Sequence, residues 1–288
     1  MLPDDTGLLA RIKKVAASEN FIVGVCDAAP LNLDITCFTP FVSRDHLKRT
    51  DPSAILPGVK SIIVVGVPHT IKDFLPVPEG AGMLSVLGVT EDYHIVVKTL
   101  LEKLVAELKL CASFMYKILV DSPTLDERAL AVKSGLGFIG RSGLVISKEY
   151  GSQFNIGLLL MDVDVFKAEN FNKMAECPPN CCNCINACPS GALSETGGFD
   201  VAKCISYLTQ KDNLTPDETA LVAKSRCLYG CDICQNACPF NHPQSTPWVM
   251  PEDWLYMSDD DFTKAYGHTA MMWRGAELLR RNAKILCT

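Results

Sequence analysis

The order of apolar segments predicts an α+β fold with a mixed sheet, followed by a smaller ferredoxin-like module rich in cysteine. Helix-like and strand-like patterns mix without strict alternation between residues 7 and 162, unlike the pattern of a doubly wound parallel sheet. All but four of the 14 cysteines fall within residues 177–238. A length of 288 residues with 48% apolar side chains suits one sizeable domain and a small appended module.

The elements of the first domain follow from the spacing of apolar side chains. The predicted helices are 7–19, 92–110 and 124–134, and the predicted strands are 21–25, 61–67, 117–121, 143–147 and 154–162. Thr124 and Glu127 have the spacing of a capping box at the start of the third helix, and Gly135 is its expected stop. A turn at 149–152 is expected between the last two strands.

Three domains are predicted. Residues 1–170 would form the main domain, and residues 171–245 would form the cysteine-rich module. The segment 246–288 carries all three tryptophans and a basic helix from Trp273 to Lys284, and we expect it to pack back on the body of the protein.

The cysteines form two blocks, at 177–189 and 231–239, and each block ends in Cys-Pro. Closely spaced thiolates followed by a cysteine before proline are typical of [4Fe–4S] ligation, and in two-cluster ferredoxins that last cysteine ligates the other cluster. A zinc site needs four ligands and does not account for two Cys-Pro endings. The sequence therefore predicts two [4Fe–4S] clusters, with structural zinc as the alternative.

Composition narrows the range of partners. No run of 18 apolar residues is present, so neither a transmembrane helix nor a membrane partner is expected. A formal net charge of −6 lacks the basic footprint of nucleic-acid binders, so any contact with RNA would have to be local. The N-terminus opens with Met1-Leu2-Pro3-Asp4-Asp5, unlike a secretory signal, and air-sensitive clusters favour a reducing, cytoplasmic location.

An ordered series of short stretches resembles the epoxyqueuosine reductases, which are cobalamin-dependent iron–sulfur enzymes related to reductive dehalogenases. The resemblance spans about residues 5–285. Its stretches are 56–61, 91–94, 120–123, 127–131, 135–141, 151–152, 204–209, 230–235 and 281–283. It implies a nitroreductase-like cobalamin-binding domain, two [4Fe–4S] clusters and cobalamin as cofactors, and a short form without the C-terminal helical-repeat domain of longer members.

The resemblance also implies interleaved cluster ligands. One cluster would be held by Cys181, Cys184, Cys238 and a residue just upstream, and the other by Cys188, Cys204, Cys231 and Cys234. The family spacing places the upstream cysteine at position 178, which is Pro178 here. We expect Cys177 to take that role through a slightly longer loop, with Cys182 as the alternative.

From position alone, Asp121 suits a cap of a loop or of the following helix. The resemblance makes it instead the candidate catalytic acid, and a partly desolvated carboxyl at the end of an apolar strand can hold its proton near neutral pH. The resemblance places Asp92, Tyr93 and His94 at the substrate pocket, although first-turn capping would also account for them. The basic residue that is common before this trio in the family is replaced by Glu91.

Small residues after the third helix are the candidate cobalamin contacts. Glycines and serines expose backbone N–H groups to a large flat ligand, and the resemblance implies such a role. The candidates are Gly137, Phe138, Ile139, Gly140, Arg141, Ser142, Gly151 and Ser152. A simple helix-to-strand turn is the alternative. A dinucleotide site is not favoured, because the glycine pattern follows a helix instead of a strand.

Three functions follow from these observations. The first is reduction of epoxyqueuosine in tRNA to queuosine, with a low-potential ferredoxin or flavodoxin as electron donor. The second is a corrinoid iron–sulfur reductase that acts on another small molecule, as reductive dehalogenases do, and the acidic charge and the altered segment at Glu91 favour it. The third is a non-catalytic, ferredoxin-like electron carrier.

Overall fold

The computed structural model describes residues 5–33, 40–69, 76–165, 176–195 and 198–288. The chain divides into two compact units. The first comprises residues 1–68, 94–140 and 144–176, and the second comprises residues 69–93, 141–143 and 177–288. The predicted boundary at 170 falls outside the described residues. The segment 246–288 was predicted to pack on the body of the protein, but it belongs to the unit that carries both cysteine blocks.

The helices and strands are numbered in chain order. The helices are α1 (Asp5–Ser18), α2 (His46–Thr50), α3 (Tyr93–Lys109), α4 (Glu127–Lys133), α5 (Asn183–Ala187), α6 (Ile205–Leu208), α7 (Pro216–Ser225), α8 (Ile233–Asn236), α9 (Pro251–Tyr256), α10 (Asp259–Tyr266) and α11 (Gly275–Cys287). The strands are β1 (Ile22–Asp27), β2 (Ser61–Pro68), β3 (Gly82–Leu84), β4 (Tyr116–Val120), β5 (Phe138–Ile139), β6 (Val145–Ile146), β7 (Phe154–Met161), β8 (Cys227–Tyr229) and β9 (Trp248–Val249).

The first unit is built on a four-stranded sheet in the order β1-β2-β7-β4. Every pairing in it is antiparallel, with Ser61 opposite Met161 and Tyr116 opposite the same residue on the other side. The prediction of a mixed sheet is therefore wrong for this unit, whereas the α+β class is confirmed. Strands joined by long excursions can pair antiparallel, and apolar spacing alone does not reveal their direction.

Both faces of this sheet are covered, which explains the uninterrupted apolar run of β2. Ile63 and Val65 pack with α1 and α3 in one core cluster. Ile62 and Val64 point to the other face and pack with Leu130 of α4 in a second cluster. Neighbouring side chains of a strand point to opposite faces, so a strand buried on both faces must be apolar at every position.

The third predicted helix begins three residues later than expected. Asp126 is the N-cap of α4, and its carboxylate accepts a hydrogen bond from the N–H of Ala129. The predicted capping box of Thr124 and Glu127 is therefore wrong, because aspartate at position 126 provides the cap. Gly135 has a φ of +79° just after the helix, which confirms the glycine stop.

The second unit contains the mixed sheet, in the order β8-β3-β9. β3 pairs parallel with β8 and antiparallel with β9. Its core includes Trp254, whose ring packs edge-on against Phe262 and Tyr266. α11 contributes Leu279 and Ala283 to the same core, which accounts for the place of the C-terminal segment in this unit.

Within the ranges that the structure describes, no helix combines the length and the apolar character needed to cross a membrane.

Candidate active site

The first group of thiols joins the first cysteine block to the end of the second. Burial raises the pKa of Cys184, and the neighbouring thiols of Cys238 and Cys177 raise it further. Burial likewise raises the pKa of Cys238, with further contributions from Cys177 and Cys181. Such mutual effects require the thiols to lie close together. Cys177, Cys181, Cys184 and Cys238 therefore form one group.

The second group joins the end of the first block to the second block. Burial raises the pKa of Cys204, and the thiols of Cys231 and Cys188 raise it further. Burial also raises the pKa of Cys234, again with contributions from Cys231 and Cys204. We place Cys188, Cys204, Cys231 and Cys234 in the second group, although Cys184 of the first group also raises the pKa of Cys234. Each block thus contributes its last cysteine, the one before proline, to the group of the other block.

The thiol groups differ from a site for a single ion. Among the residues that the structure describes, no three histidine, cysteine or acidic side chains are placed to hold one metal ion. A zinc ion holds its sulfur ligands at about 2.3 Å from one centre. In a [4Fe–4S] cluster each thiolate binds a different iron, so the four cysteine sulfurs lie farther apart than around a single zinc ion.

Arg141 distinguishes the two candidates for the upstream ligand. Its backbone N–H donates to Sγ of Cys177 at 3.4 Å. Its guanidinium donates to Sγ of Cys182 at 3.7 Å and to the carbonyl oxygen of Pro179 at 2.6 Å. Cys182 is therefore engaged by the arginine side chain, whereas Cys177 lies with the thiols of the first group.

One further cysteine lies beside the second group. Cys227 is 2% exposed and begins β8. Its thiol is within hydrogen-bonding reach of Cys231, and this contact together with burial raises the pKa of Cys231. Cys227 is not among the predicted cluster ligands, and the structure adds that it contacts one of them, Cys231.

The candidate acid lies on a tight corner at the end of β4. Asp121 has a φ of +45°, which is rare for a residue other than glycine and tolerated best by aspartate and asparagine. Its Oδ2 lies 3.7 Å from Nε2 of His94, and the two side chains are 66% and 42% exposed. The protein therefore does not desolvate Asp121 as expected.

The carboxyl that the protein does enclose is that of Glu127. Its Oε1 accepts a hydrogen bond from the N–H of Ser122 at 3.0 Å. Burial raises the pKa of Glu127 to about 8, and the carboxylates of Asp121 and Asp126 add to the effect. Sequence reasoning placed Glu127 in a capping box and missed this role. The available signal was another acidic residue six positions after Asp121, on the same corner.

The boundary between the two units falls within the predicted substrate trio. Asp92 and Tyr93 belong to the second unit and His94 to the first. The N–H of Asp92 donates to the carbonyl oxygen of His268 at 2.8 Å. The structure thus brings His94 to Asp121 and ties the backbone of Asp92 to the C-terminal segment.

The candidate cobalamin contacts lie on and around the β5–β6 hairpin. Phe138 pairs with Ile146, and Ile139, which is 53% exposed, pairs with Val145. A side chain at Gly137 would meet the carbonyl oxygen of Ile146 at 2.4 Å, so backbone packing accounts for that glycine. At the tip of the hairpin, the N–H of Gly140 donates to the carbonyl of Leu144, and Arg141 and Ser142 belong to the second unit. In the next turn, Gly151 has a φ of +57° and Ser152 is buried.

Comparisons with known proteins agree with these features. The profile of a family described as epoxyqueuosine reductase QueG, DUF1730, matches residues 49–122. A profile described as a 4Fe-4S double cluster binding domain matches residues 177–241. The epoxyqueuosine reductase of Staphylococcus aureus is 33% identical over an alignment of 261 residues. The alignment covers 84% of this chain and 67% of that protein.

Two solved structures are informative. An epoxyqueuosine reductase crystallised with an epoxyqueuosine-modified tRNA-Tyr stem loop superposes with a TM-score of 0.87 and 27% identity, covering 98% of this chain and 81% of that one. The Bacillus subtilis epoxyqueuosine reductase, with its catalytic aspartate loop swung out of the active site, superposes with a TM-score of 0.86 and 27% identity, covering 98% and 82%.

Proposed function

Because the chain belongs to the epoxyqueuosine reductase family, we propose that it reduces epoxyqueuosine in tRNA to queuosine. The observation that carries this proposal is the division of eight cysteines into two interleaved groups of four. Conversion of an epoxide to an alkene and water consumes two electrons and two protons. A pair of one-electron clusters matches this electron demand.

We assign the cluster ligands by group. Cys177, Cys181, Cys184 and Cys238 would hold one [4Fe–4S] cluster, and Cys188, Cys204, Cys231 and Cys234 the other. Support comes from the mutual effects of these thiols on each other's pKa values and from the double-cluster family match. The engagement of Cys182 by Arg141 supports Cys177 as the upstream ligand.

Cobalamin enters the proposal through the family resemblance, and the hairpin fits it in part. Ile139 offers exposed apolar surface, whereas Gly137 is accounted for by backbone packing. When bound, cobalamin would supply the strongly reducing chemistry that amino-acid side chains lack. The proposed contacts are Gly137, Phe138, Ile139, Gly140, Arg141, Ser142, Gly151 and Ser152. The nitroreductase-like description of this domain is part of the same proposal.

Asp121 is the proposed acid that delivers a proton to the departing oxygen. A carboxylic acid near a reacting oxygen accelerates such a step by about 10²–10⁴-fold. His94 lies 3.7 Å from Oδ2 of Asp121 and would orient its carboxyl. The corner at Asp121 and Ser122 would correspond to the catalytic aspartate loop of the Bacillus subtilis enzyme. We place Asp92, Tyr93 and His94 at the substrate pocket.

The test is conversion of epoxyqueuosine-containing tRNA by anaerobically purified protein, with cobalamin and a chemical reductant. Nucleosides released from the tRNA are identified by mass spectrometry. We expect queuosine to appear only when clusters, cobalamin and reductant are all present. Absence of conversion by protein with both clusters and bound cobalamin would remove the substrate assignment. A ferredoxin or flavodoxin, the proposed cytoplasmic donor, should replace the chemical reductant.

The net charge of −6 favours a second candidate, a corrinoid reductase for another small molecule. A panel of halogenated compounds and small epoxides, assayed under the same conditions, separates the two candidates. Turnover of a panel member without turnover of the tRNA would establish the second. Protein that holds both clusters but retains no cobalamin would instead indicate an electron carrier.

A further inference from the structure

The corner that carries Asp121 is held from several sides. The carboxyl of Glu127 accepts a hydrogen bond from the N–H of Ser122 at 3.0 Å. The hydroxyls of Ser122 and Thr124 lie 2.6 Å apart, and the N–H of Ser43 donates to the carbonyl of Pro123 at 2.7 Å. The bond to Glu127 is the one next to Asp121, whose φ of +45° it helps to fix.

Burial is the main cause of the raised pKa of Glu127. The carboxylates of Asp121 and Asp126 raise this pKa further, while the Ser122 N–H and the imidazole of His94 lower it. Arg49 of α2 binds Asp126 at 3.0 Å in a nearly buried pair, which compensates the charge of Asp126. With a pKa of about 8, Glu127 is protonated at neutral pH.

We propose that Glu127 is a positioning residue for Asp121, because its carboxyl accepts the Ser122 N–H and so holds the corner that carries Asp121. This rests on the proposed function, in which Asp121 is the acid. Without an acceptor at position 127, the partly buried Ser122 N–H would lose its partner. The corner would then open to water, and Asp121 would leave its working position.

The test compares Glu127→Gln with Glu127→Ala. Glutamine keeps an oxygen that accepts the Ser122 N–H but cannot ionise, whereas alanine removes the acceptor. Rates of epoxyqueuosine conversion are measured at pH 7. The glutamine variant should keep the wild-type rate, because it keeps the acceptor for the Ser122 N–H.

The alanine variant should lose about 10–100-fold in kcat with little change in KM, because a displaced catalytic group costs on this order. Asp126→Ala is the matched control, since it removes the cap of the same helix and leaves the Ser122 bond. We expect it to change kcat much less than Glu127→Ala does. Equal losses in the two alanine variants, or a loss in Glu127→Gln as large as that in Glu127→Ala, would overturn the proposal.

Hydrogen exchange separates this inference from the proposed function. Mass spectrometry of the peptide around residues 119–126 needs no substrate and reports the Ser122 amide in the resting protein. Glu127→Ala should exchange this amide faster than wild type, and Glu127→Gln should match wild type at pH 7. Unchanged exchange in Glu127→Ala would refute the positioning role even if conversion is observed. If the wild type converts no epoxyqueuosine, the exchange result still decides whether Glu127 holds the corner.

Discussion

The cysteine region and the Asp121 corner hold their functional groups in opposite ways. In the cysteine region, burial and neighbouring thiols raise the pKa values of Cys204 and Cys238, so a bound cation would stabilise their thiolates. The corner at residues 121–127 follows a strand of the central sheet and is fixed by local hydrogen bonds. The first region thus gathers thiols that a bound metal would stabilise, whereas the second is held by the fold itself.

The largest effect should come from breaking the crossed arrangement of the cysteine groups. Cys238→Ala removes a thiol from the group of Cys181 and Cys184, so it should destroy that cluster, roughly half of the iron. Its EPR and Mössbauer spectra should match those of Cys181→Ala. Cys188→Ala should match Cys231→Ala instead. Spectra of Cys238→Ala that match those of Cys231→Ala would show that each block holds its own cluster.

A second pair of variants tests the upstream ligand. Cys177→Ala should lose the same cluster as Cys181→Ala, because Cys177 lies with that group. Cys182→Ala should keep both clusters, since its thiol is bonded to the guanidinium of Arg141. Iron and sulfide content measured anaerobically distinguishes them. Loss of iron in Cys182→Ala with retention in Cys177→Ala would reverse the assignment.

Arg141 should have a smaller effect on the same region. Arg141→Ala frees the carbonyl of Pro179 and the thiol of Cys182 but keeps the N–H bonded to Cys177. Loss of such a supporting contact costs about 10–100-fold in metal affinity. We expect iron release to a chelator to accelerate accordingly, with Arg141→Lys intermediate because it lacks the forked donors. Wild-type release rates in Arg141→Ala would show that the loop needs no side-chain anchor.

The smallest effect concerns the stability of the corner. Glu127 has a pKa raised from 4.5 to about 8, so the native state binds its proton more tightly than the unfolded chain does. Its contribution is complete below about pH 4.5 and is lost as the pH rises to about 8. Glu127→Gln should therefore gain free energy of unfolding over the wild type as the pH rises through this window, by at most about 1.4 kcal/mol per pH unit, and its Tm advantage should grow in parallel. A constant Tm difference would contradict the buried, protonated carboxyl.

Sequence reasoning succeeded where chemistry imposes a spacing. The two Cys-Pro endings predicted a double-cluster module, which the matching family profile supports, and apolar periodicity predicted β2, α3 and β7 to within a few residues. The family resemblance and the α+β class are confirmed by the relatives and the fold. Cluster ligation and the cobalamin contacts stay predictions.

It failed where the outcome depends on long-range pairing or on competition between neighbours. Strand direction in the main sheet depends on how distant segments meet, which no local pattern records. Asp126 caps α4 in place of Thr124, so the carboxyl of Glu127 is not part of a capping box and accepts the Ser122 N–H instead. Which of two nearby carboxyls is enclosed cannot be read from their spacing, because burial depends on the packing of α4 against the sheet.

The central claim is that the cysteine region supplies electrons while the Asp121 corner supplies a proton, and Asp121→Asn tests it most directly. Asparagine tolerates the positive φ and keeps the shape of the side chain but cannot donate a carboxyl proton. The decisive measurement is the anaerobic rate of epoxyqueuosine conversion by wild type and variant of equal iron content. The account predicts a rate lower by about 10²–10⁴-fold in the variant. Conversion at the wild-type rate would contradict it.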